Sequence, residues 1–236
     1  MRKLAFSLFV LLLLLGAGAL FVLKVKRLVP PSKMPPATQV LMDKLGQSDR
    51  DLLQALFLVT NRARETWSTG ILTSYGTIVT DAHTAEGARL QDLSVLSSKG
   101  EPVALKGFEL DRGLDVAFLY PAQKQGGGLE LGQGGDFGPG DQVYTWGYSD
   151  GFDPPQPLLC MGFVAGFRLA PGESEKGSAT RLVLGGPFTA GYGGSPVFRW
   201  RDNQMVGLLV MRPVPTGLVA EVVPVQILKE RLEAVN

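Results

Sequence analysis

The sequence predicts an all-β domain that follows an N-terminal membrane segment. Short runs of β-branched, aromatic and aliphatic residues recur from residue 56 to residue 222, and turn residues separate them. The 236 residues include 30 glycines and 16 prolines, which favour short strands and turns over helices. An apolar content of 45% allows a sizeable core. Roughly a dozen strands at this spacing indicate a barrel or a sandwich.

The first predicted element is a transmembrane helix. Every residue from Leu4 to Leu23 except Ser7 is apolar or glycine. Twenty helical residues span about 30 Å, the thickness of a bilayer's hydrocarbon core. We therefore predict a signal anchor over residues 1–23 and an extracytoplasmic location for the rest of the chain. The small residues Ala17–Ala19 leave a cleaved signal peptide open as an alternative.

A basic, proline-rich tether over residues 24–37 is predicted next, and a domain over residues 38–236. The first 36 residues contain six basic side chains and no acidic one. Removing these six from the 23 basic residues leaves 17 against 22 acidic residues, a net charge of −5 for the remainder. Nucleic-acid binding depends on neutralising phosphates, so an acidic domain predicts no nucleic-acid partner.

The domain is predicted to begin with a short helix near residues 38–46 and to continue in strands. Residues 74–76 have the composition of a hairpin turn, and three glycines at 126–128 suit a crossover between sub-barrels over about 54–125 and 129–224. Val225–Val235 is predicted as a helix with one apolar face. The β-type runs are 56–59, 71–73, 77–80, 93–96, 116–119, 142–146, 162–166, 182–184, 196–198, 206–210 and 217–222.

Cysteine and histidine are too scarce for most metal chemistry. The only cysteine, Cys160, cannot form an internal disulfide, and we interpret it as a small buried apolar residue. With one histidine and no cluster of carboxylates, the sequence predicts no metal site and no cofactor.

His83, the only histidine, lies at the end of a β-type run and is a candidate general base. Asp115 directly precedes another apolar run, where a carboxylate is costly to bury without a partner. We expect Asp115 to accept a hydrogen bond from Nδ1 of His83, as the acid of a Ser-His-Asp site does.

Taken in order, these segments resemble the trypsin-like, chymotrypsin-fold serine peptidases, especially the bacterial HtrA/Deg type, over about residues 54–236. The resemblance implies two six-stranded β-barrels, His83 as base and Asp115 as its orienting acid. The PDZ domain of that type has no counterpart in this sequence. The matching segments are 68–72, 76–83, 114–117, 139–148, 162–166, 191–196 and 222–225.

The nucleophile loop departs from the family pattern, which reads Gly-Asp/Asn-Ser-Gly-Gly/Ser-Pro. In this alignment Tyr192 takes the place of the acid or amide, Gly193 that of the nucleophile and Ser195 that of a small spacer. The resemblance implies an oxyanion hole formed by the N–H groups of Gly191 and Gly193. It also implies a substrate-binding segment over Leu208, Leu209, Val210 and Met211.

Loss of the nucleophile predicts a catalytically inactive homologue that binds extended peptides or a protein partner. One alternative is an active endopeptidase that uses Ser195, although Pro196 would then stand at a position where the family has glycine. An active enzyme also follows if the natural chain carries serine at 193. Another alternative is a structural subunit of a membrane complex, and a homo-oligomer is open in each case.

Overall fold

The structure, a computed structural model, describes residues 43–169 and 180–235. The predicted membrane segment, the tether and most of the predicted helix near 38–46 lie outside these residues. None of the helices within the described ranges is long and apolar enough to cross a bilayer.

The first half of the chain forms one antiparallel sheet of seven strands in the order β5-β4-β1-β2-β3-β7-β6. Its edge strands β5 and β6 are separated by Ala104 alone, so the sheet nearly closes on itself. The strands are β1 Leu56–Asn61, β2 Thr66–Leu72, β3 Ile78–Asp81, β4 Leu93–Ser97, β5 Pro102–Val103, β6 Leu105–Asp111 and β7 Val116–Pro121.

This sheet corrects the expectation of six strands in the first barrel. Neither β5 nor β6 was among the predicted runs, because neither strand buries a residue fully. In addition, β6 mixes polar with apolar side chains. The predicted turn at 74–76 is confirmed: it connects β2 and β3, and Gly76 there has a left-handed φ of 80°.

The second half forms a closed six-stranded barrel in the order β10-β13-β12-β11-β8-β9. The all-β architecture is therefore confirmed. The strands are β8 Gln142–Tyr148, β9 Pro157–Leu169, β10 Thr180–Gly185, β11 Pro196–Arg199, β12 Met205–Val214 and β13 Gly217–Pro224.

The described part also contains the α-helices α1 Gln47–Gln54, α2 Ala82–Ala85 and α3 Val225–Val235, and the short 3₁₀ helices Leu90–Asp92 and Ala190–Tyr192. The C-terminal helix α3 is where the sequence predicts it. Helix α1 begins after Gly46, in a segment for which the sequence predicted none.

Apolar side chains form one core inside each sheet and a third core that joins the two halves. Cys160 is buried in the second barrel, as predicted. The joining core takes Leu53 from α1, Phe118 from the first sheet, Leu208 from the second barrel and Leu228 from α3. The two sheets are thereby fixed against each other, and His83 and the loop at 191–196 come from opposite sides of their junction.

Candidate active site

His83 is positioned by the short helix α2, which begins directly after β3. Asp81 caps this helix, since its Oδ1 accepts a hydrogen bond from the Thr84 N–H at 3.1 Å. The Ala82 N–H donates to the Asp115 carbonyl at 3.0 Å and ties the helix to the start of β7. These contacts hold the imidazole beside the Asp115 carboxylate.

The structure brings the predicted base and acid together. His83 Nδ1 lies 2.7 Å from Asp115 Oδ1, and the two side chains are 41% and 15% exposed. Asp115 has a left-handed φ of 61°, a backbone conformation in which aspartate is several-fold enriched among residues other than glycine. The close contact with Asp115 and its negative charge raise the pKa of His83 above its usual value, although partial burial opposes this.

The loop at 191–196 is held against the first sheet by Thr69. The Thr69 hydroxyl donates to the Gly191 carbonyl at 2.9 Å and accepts from the Tyr148 N–H at 2.8 Å. Its backbone N–H donates to the Gly193 carbonyl at 2.9 Å. Gly194 needs to be glycine, since its φ is 81° and a Cβ there would lie 1.9 Å from the Thr69 carbonyl oxygen.

The space beside Gly193 is occupied by Asp81. A Cβ built on Gly193 would lie 1.8 Å from Asp81 Oδ2, so a side chain at this position needs that carboxyl group to move. Asp81 is 3% exposed, and its burial raises its pKa to about 6. Sequence reasoning missed Asp81, and the only available signal was an acidic residue two positions before His83.

The predicted oxyanion hole is not open in this conformation. The Gly193 N–H donates to the Ala190 carbonyl at 2.9 Å, within the 3₁₀ turn Ala190–Tyr192. One of the two expected donors is therefore already used inside the loop. The sequence could not reveal this, because it depends on how the peptide unit at Ala190 is oriented.

Ser195 lies in the protein interior, away from the cavity that the imidazole faces. Its side chain is fully buried, and a Cβ on Gly147 would lie 2.1 Å from its Oγ. Within residues 43–169 and 180–235, its Oγ has no hydrogen-bond partner, His83 included. This packing is compatible with Ser195 as a spacer. A nucleophilic serine would need its Oγ within hydrogen-bond distance of the imidazole.

The predicted substrate-binding segment, Leu208 to Met211, has buried side chains. The Leu209 backbone exchanges hydrogen bonds with Ser195 and Gly194 at 2.8 and 2.7 Å. Among the strands described, β12 pairs with β11 only up to Leu208, whereas its pairing with β13 continues to Val214. From residue 210 onward the strand can therefore offer backbone N–H and C=O groups to a peptide. The side chains of Leu208 to Met211 are buried and offer almost no surface for contact.

A cavity of about 400 Å³ opens at the imidazole, and its lining includes His83, Asp115, Arg181 and Arg212. A larger cavity of about 810 Å³ lies between α1 and β8, and neither His83 nor Asp115 lines it. We assign the site to the smaller cavity because the His83–Asp115 pair is there. No group of three or more potential metal ligands occurs in the parts of the chain described above.

Comparison with known protein families agrees with the all-β fold described above. The family model described as "Trypsin-like peptidase domain" matches residues 68–208, which is more than half of the chain. No curated protein matches the sequence.

Many solved structures resemble the chain, and the three that follow do so at low sequence identity. The MamO protease domain from Magnetospirillum magneticum is 18% identical, with a TM-score of 0.58, and the match covers 78% of this chain and 98% of that one. The Rv3671c protease from M. tuberculosis in its active form is 16% identical, with a TM-score of 0.64 and coverages of 86% and 89%. The HtrA-type protease AlgW with a tripeptide is 17% identical, with a TM-score of 0.62 and coverages of 78% and 61%. At these identities the likeness shows the fold alone.

Proposed function

The chain belongs to the family of trypsin-like peptidases, and from that premise we propose that it is a catalytically inactive member that binds an extended peptide of a protein partner. The observation that carries this proposal is that Asp81 occupies the space beside Gly193. The position that aligns with the family's nucleophile has no side chain, and a buried carboxyl group fills the space beside it.

Three features of the site support inactivity. Gly193 has no hydroxyl, its N–H is engaged by Ala190, and Asp81 obstructs any side chain that would replace the missing one. Removing the nucleophile of a serine protease alone costs on the order of 10⁶ in turnover. The oxyanion hole, which supplies much of the residual catalysis, is also short of a donor. A physiological rate of hydrolysis is therefore not expected.

Peptide binding does not need the hydroxyl. Extended peptides bind such folds by adding a strand to a free sheet edge, where main-chain hydrogen bonds supply the affinity. The end of β12, residues 210–214, offers such an edge among the strands described, and it lies beside the cavity at His83.

We also propose that the domain is tethered to a membrane and faces the extracytoplasmic side. The support for this is the apolar run from Leu4 to Leu23, followed by the basic, proline-rich segment of residues 24–37. A partner in this compartment would be a membrane protein or an exported protein.

A fluorophosphonate probe tests the inactivity directly. The full chain is expected to show no covalent labelling, and Ser195→Ala is the matched control because Ser195 is the serine of the loop. Labelling of the native chain that disappears in Ser195→Ala would overturn the proposal in favour of an active endopeptidase.

A pair of variants tests the obstruction by Asp81. Gly193→Ser alone is expected to remain unlabelled, because its side chain meets the Asp81 carboxyl. Gly193→Ser combined with Asp81→Ala frees that space and is expected to gain measurable labelling, which His83→Ala should abolish again. Equal labelling of the single and the double variant would show that Asp81 does not obstruct the site.

A further inference from the structure

Arginines outside the His83–Asp115 pair line the cavity beside His83. Arg112, Arg181 and Arg212 contribute to its walls, and Arg212 stands on β12, directly after the buried segment that ends at Met211. A peptide added along this edge would therefore pass Arg212 as soon as it leaves the nucleophile loop.

Behind the cavity walls, one buried carboxylate accepts hydrogen bonds from three arginines. Glu221 on β13 is fully buried, and burial opposes its ionisation, but hydrogen bonds from Arg168 and Arg212 outweigh this and lower its pKa. Its Oε1 accepts from Arg168 Nε at 2.8 Å and from Arg212 Nε at 2.7 Å. Its Oε2 accepts from Arg168 Nη2 at 2.5 Å and from Arg181 Nη1 at 3.4 Å. Two carboxylate oxygens have about four acceptor positions, so Glu221 can take no further donor.

The cluster retains unused hydrogen-bond donors. Within the described ranges, Arg212 is hydrogen-bonded through Nε alone, and its side chain is 34% exposed. Arg181 is 2% exposed, and its Nε has no partner in the same part of the chain. Arginine has five N–H donors, and leaving them unmet in a partly buried place is costly.

We propose that this cavity binds the carboxylate of an aspartate or glutamate side chain in the extended peptide, with Arg212 as its main ligand. A guanidinium with free terminal N–H groups can bind a carboxylate through two parallel hydrogen bonds. The proposal deepens the peptide binding proposed above and rests on it: the bound segment has an acidic residue at one defined position.

A scanning set of peptides tests the assignment on the full chain in detergent. The probes are acetylated, C-terminally amidated heptapeptides of alternating valine and alanine, each carrying one Glu, or one Gln, at a single position. We expect one Glu position to bind at least about 10-fold more tightly than its Gln counterpart, and this preference to weaken as salt is added. A peptide of the same background with a free C-terminal carboxylate and no Glu forms a further arm.

Variants locate the effect. Arg212→Gln is expected to abolish the difference in affinity between the Glu and Gln peptides, and Arg212→Lys is expected to restore part of that difference. Arg201→Gln, which changes an exposed arginine outside the cavity, is the matched control and should change neither. Arg212→Lys also keeps the test decisive if the glutamine variant fails to fold.

The outcomes separate the two proposals. If Glu and Gln peptides bind equally well, the acidic preference is overturned and peptide binding stands. If the peptide with the free chain end binds best, the cavity takes a terminal carboxylate and the side-chain assignment is overturned. If no peptide binds, both proposals fail together.

Discussion

Asp81 has two structural roles: it caps helix α2, and it fills the space beside Gly193. Its Oδ1 caps α2 and so helps to orient His83, while its Oδ2 lies at the place where a side chain on Gly193 would begin. A carboxylate buried this deeply prefers its protonated form, which explains why its pKa is raised to about 6. Asp81 thus helps to position His83 and leaves no room for a side chain at position 193.

Replacing Asp81 by asparagine should change how stability depends on pH. The folded state holds the proton of Asp81 up to about pH 6, whereas the unfolded chain releases it near pH 3.8. Between these values the native state binds more protons, so stability falls as pH rises, by about 3 kcal/mol in total. Asp81→Asn keeps a helix-capping oxygen and removes this loss, so it should be the more stable protein above pH 6.

Urea unfolding at pH 4 and at pH 7.5 measures the effect. The difference in free energy of unfolding between Asp81→Asn and the native protein should grow toward pH 7.5. Asp136→Asn, which changes an exposed aspartate, should leave the pH dependence as it is. An Asp81→Asn protein with the native pH dependence would mean that Asp81 ionises as it does in the unfolded chain.

The His83 imidazole offers a second test at this scale, because it is the only one in the chain. Asp115 is the main cause of its raised pKa, and Glu86 contributes least among the causes. Asp115→Asn should therefore lower the pKa of His83 clearly more than Glu86→Gln does. NMR titration of the single imidazole Cε1–H resonance gives both values, and equal shifts would contradict the pairing seen at 2.7 Å.

How far the sequence predicts the site depends on the residue. His83 and Asp115 stand at the ends of β-type runs in a recognisable order, so their pairing was accessible from the sequence. The engagement of the Gly193 N–H by Ala190 was not, because one loop sequence can orient its peptide units in more than one way. Asp81 was missed because its effect on Gly193 depends on a contact across 112 positions of the chain.

At the scale of elements, β2 is connected to the second barrel through Thr69. One hydroxyl bonds both the Gly191 carbonyl and the Tyr148 N–H, and so joins β2 to the nucleophile loop and to β8. Gly147 and Gly194 allow this approach, because a Cβ on Gly147 would lie 2.9 Å from the Thr69 hydroxyl oxygen and a Cβ on Gly194 would lie 1.9 Å from the Thr69 carbonyl oxygen.

Thr69→Val is the substitution that isolates this contact. Valine has nearly the same shape as threonine but leaves two buried backbone groups without their partner, at about 1–3 kcal/mol each. We expect a loss of free energy of unfolding on the order of 2–4 kcal/mol in denaturant titrations. Thr66→Val, at an exposed position of the same strand, is the control and should change little. A native-like midpoint for Thr69→Val would mean that other contacts hold the loop.

Elements were predictable where their burial is complete. Strands such as β3 and β12 are buried over most of their length and stand out as apolar runs. Strand β6 buries no residue fully, since it lies at the edge of its sheet, and it was missed for that reason. Helix α1 was missed because Gly46 suggested the end of a helix, whereas the structure uses this glycine as the N-cap of α1.

For the whole molecule, the joining core makes the two sheets one folding unit. Helix α3 follows the second barrel in sequence, yet Arg231 on it bonds Asp111 of the first sheet through Nε at 2.7 Å, and Tyr75 donates to Glu233 at 3.0 Å. Its apolar face packs in the core that contains residues of both halves, Leu228 among them.

Leu228→Ala should therefore destabilise both halves together. Leu228 is almost fully buried, and removing such a side chain costs about 2–5 kcal/mol because it leaves a cavity. The chain has three tryptophans, so variants that retain only Trp67 or only Trp146 place one reporter on β2 of the first sheet and one on β8 of the second barrel, each at the joining core. In guanidinium titrations we expect both reporters to show one transition and the same downward shift of the midpoint. Glu230→Ala, on the exposed face of α3, should shift neither. A shift confined to the Trp146 reporter would mean that the second barrel unfolds by itself and that α3 does not couple the halves.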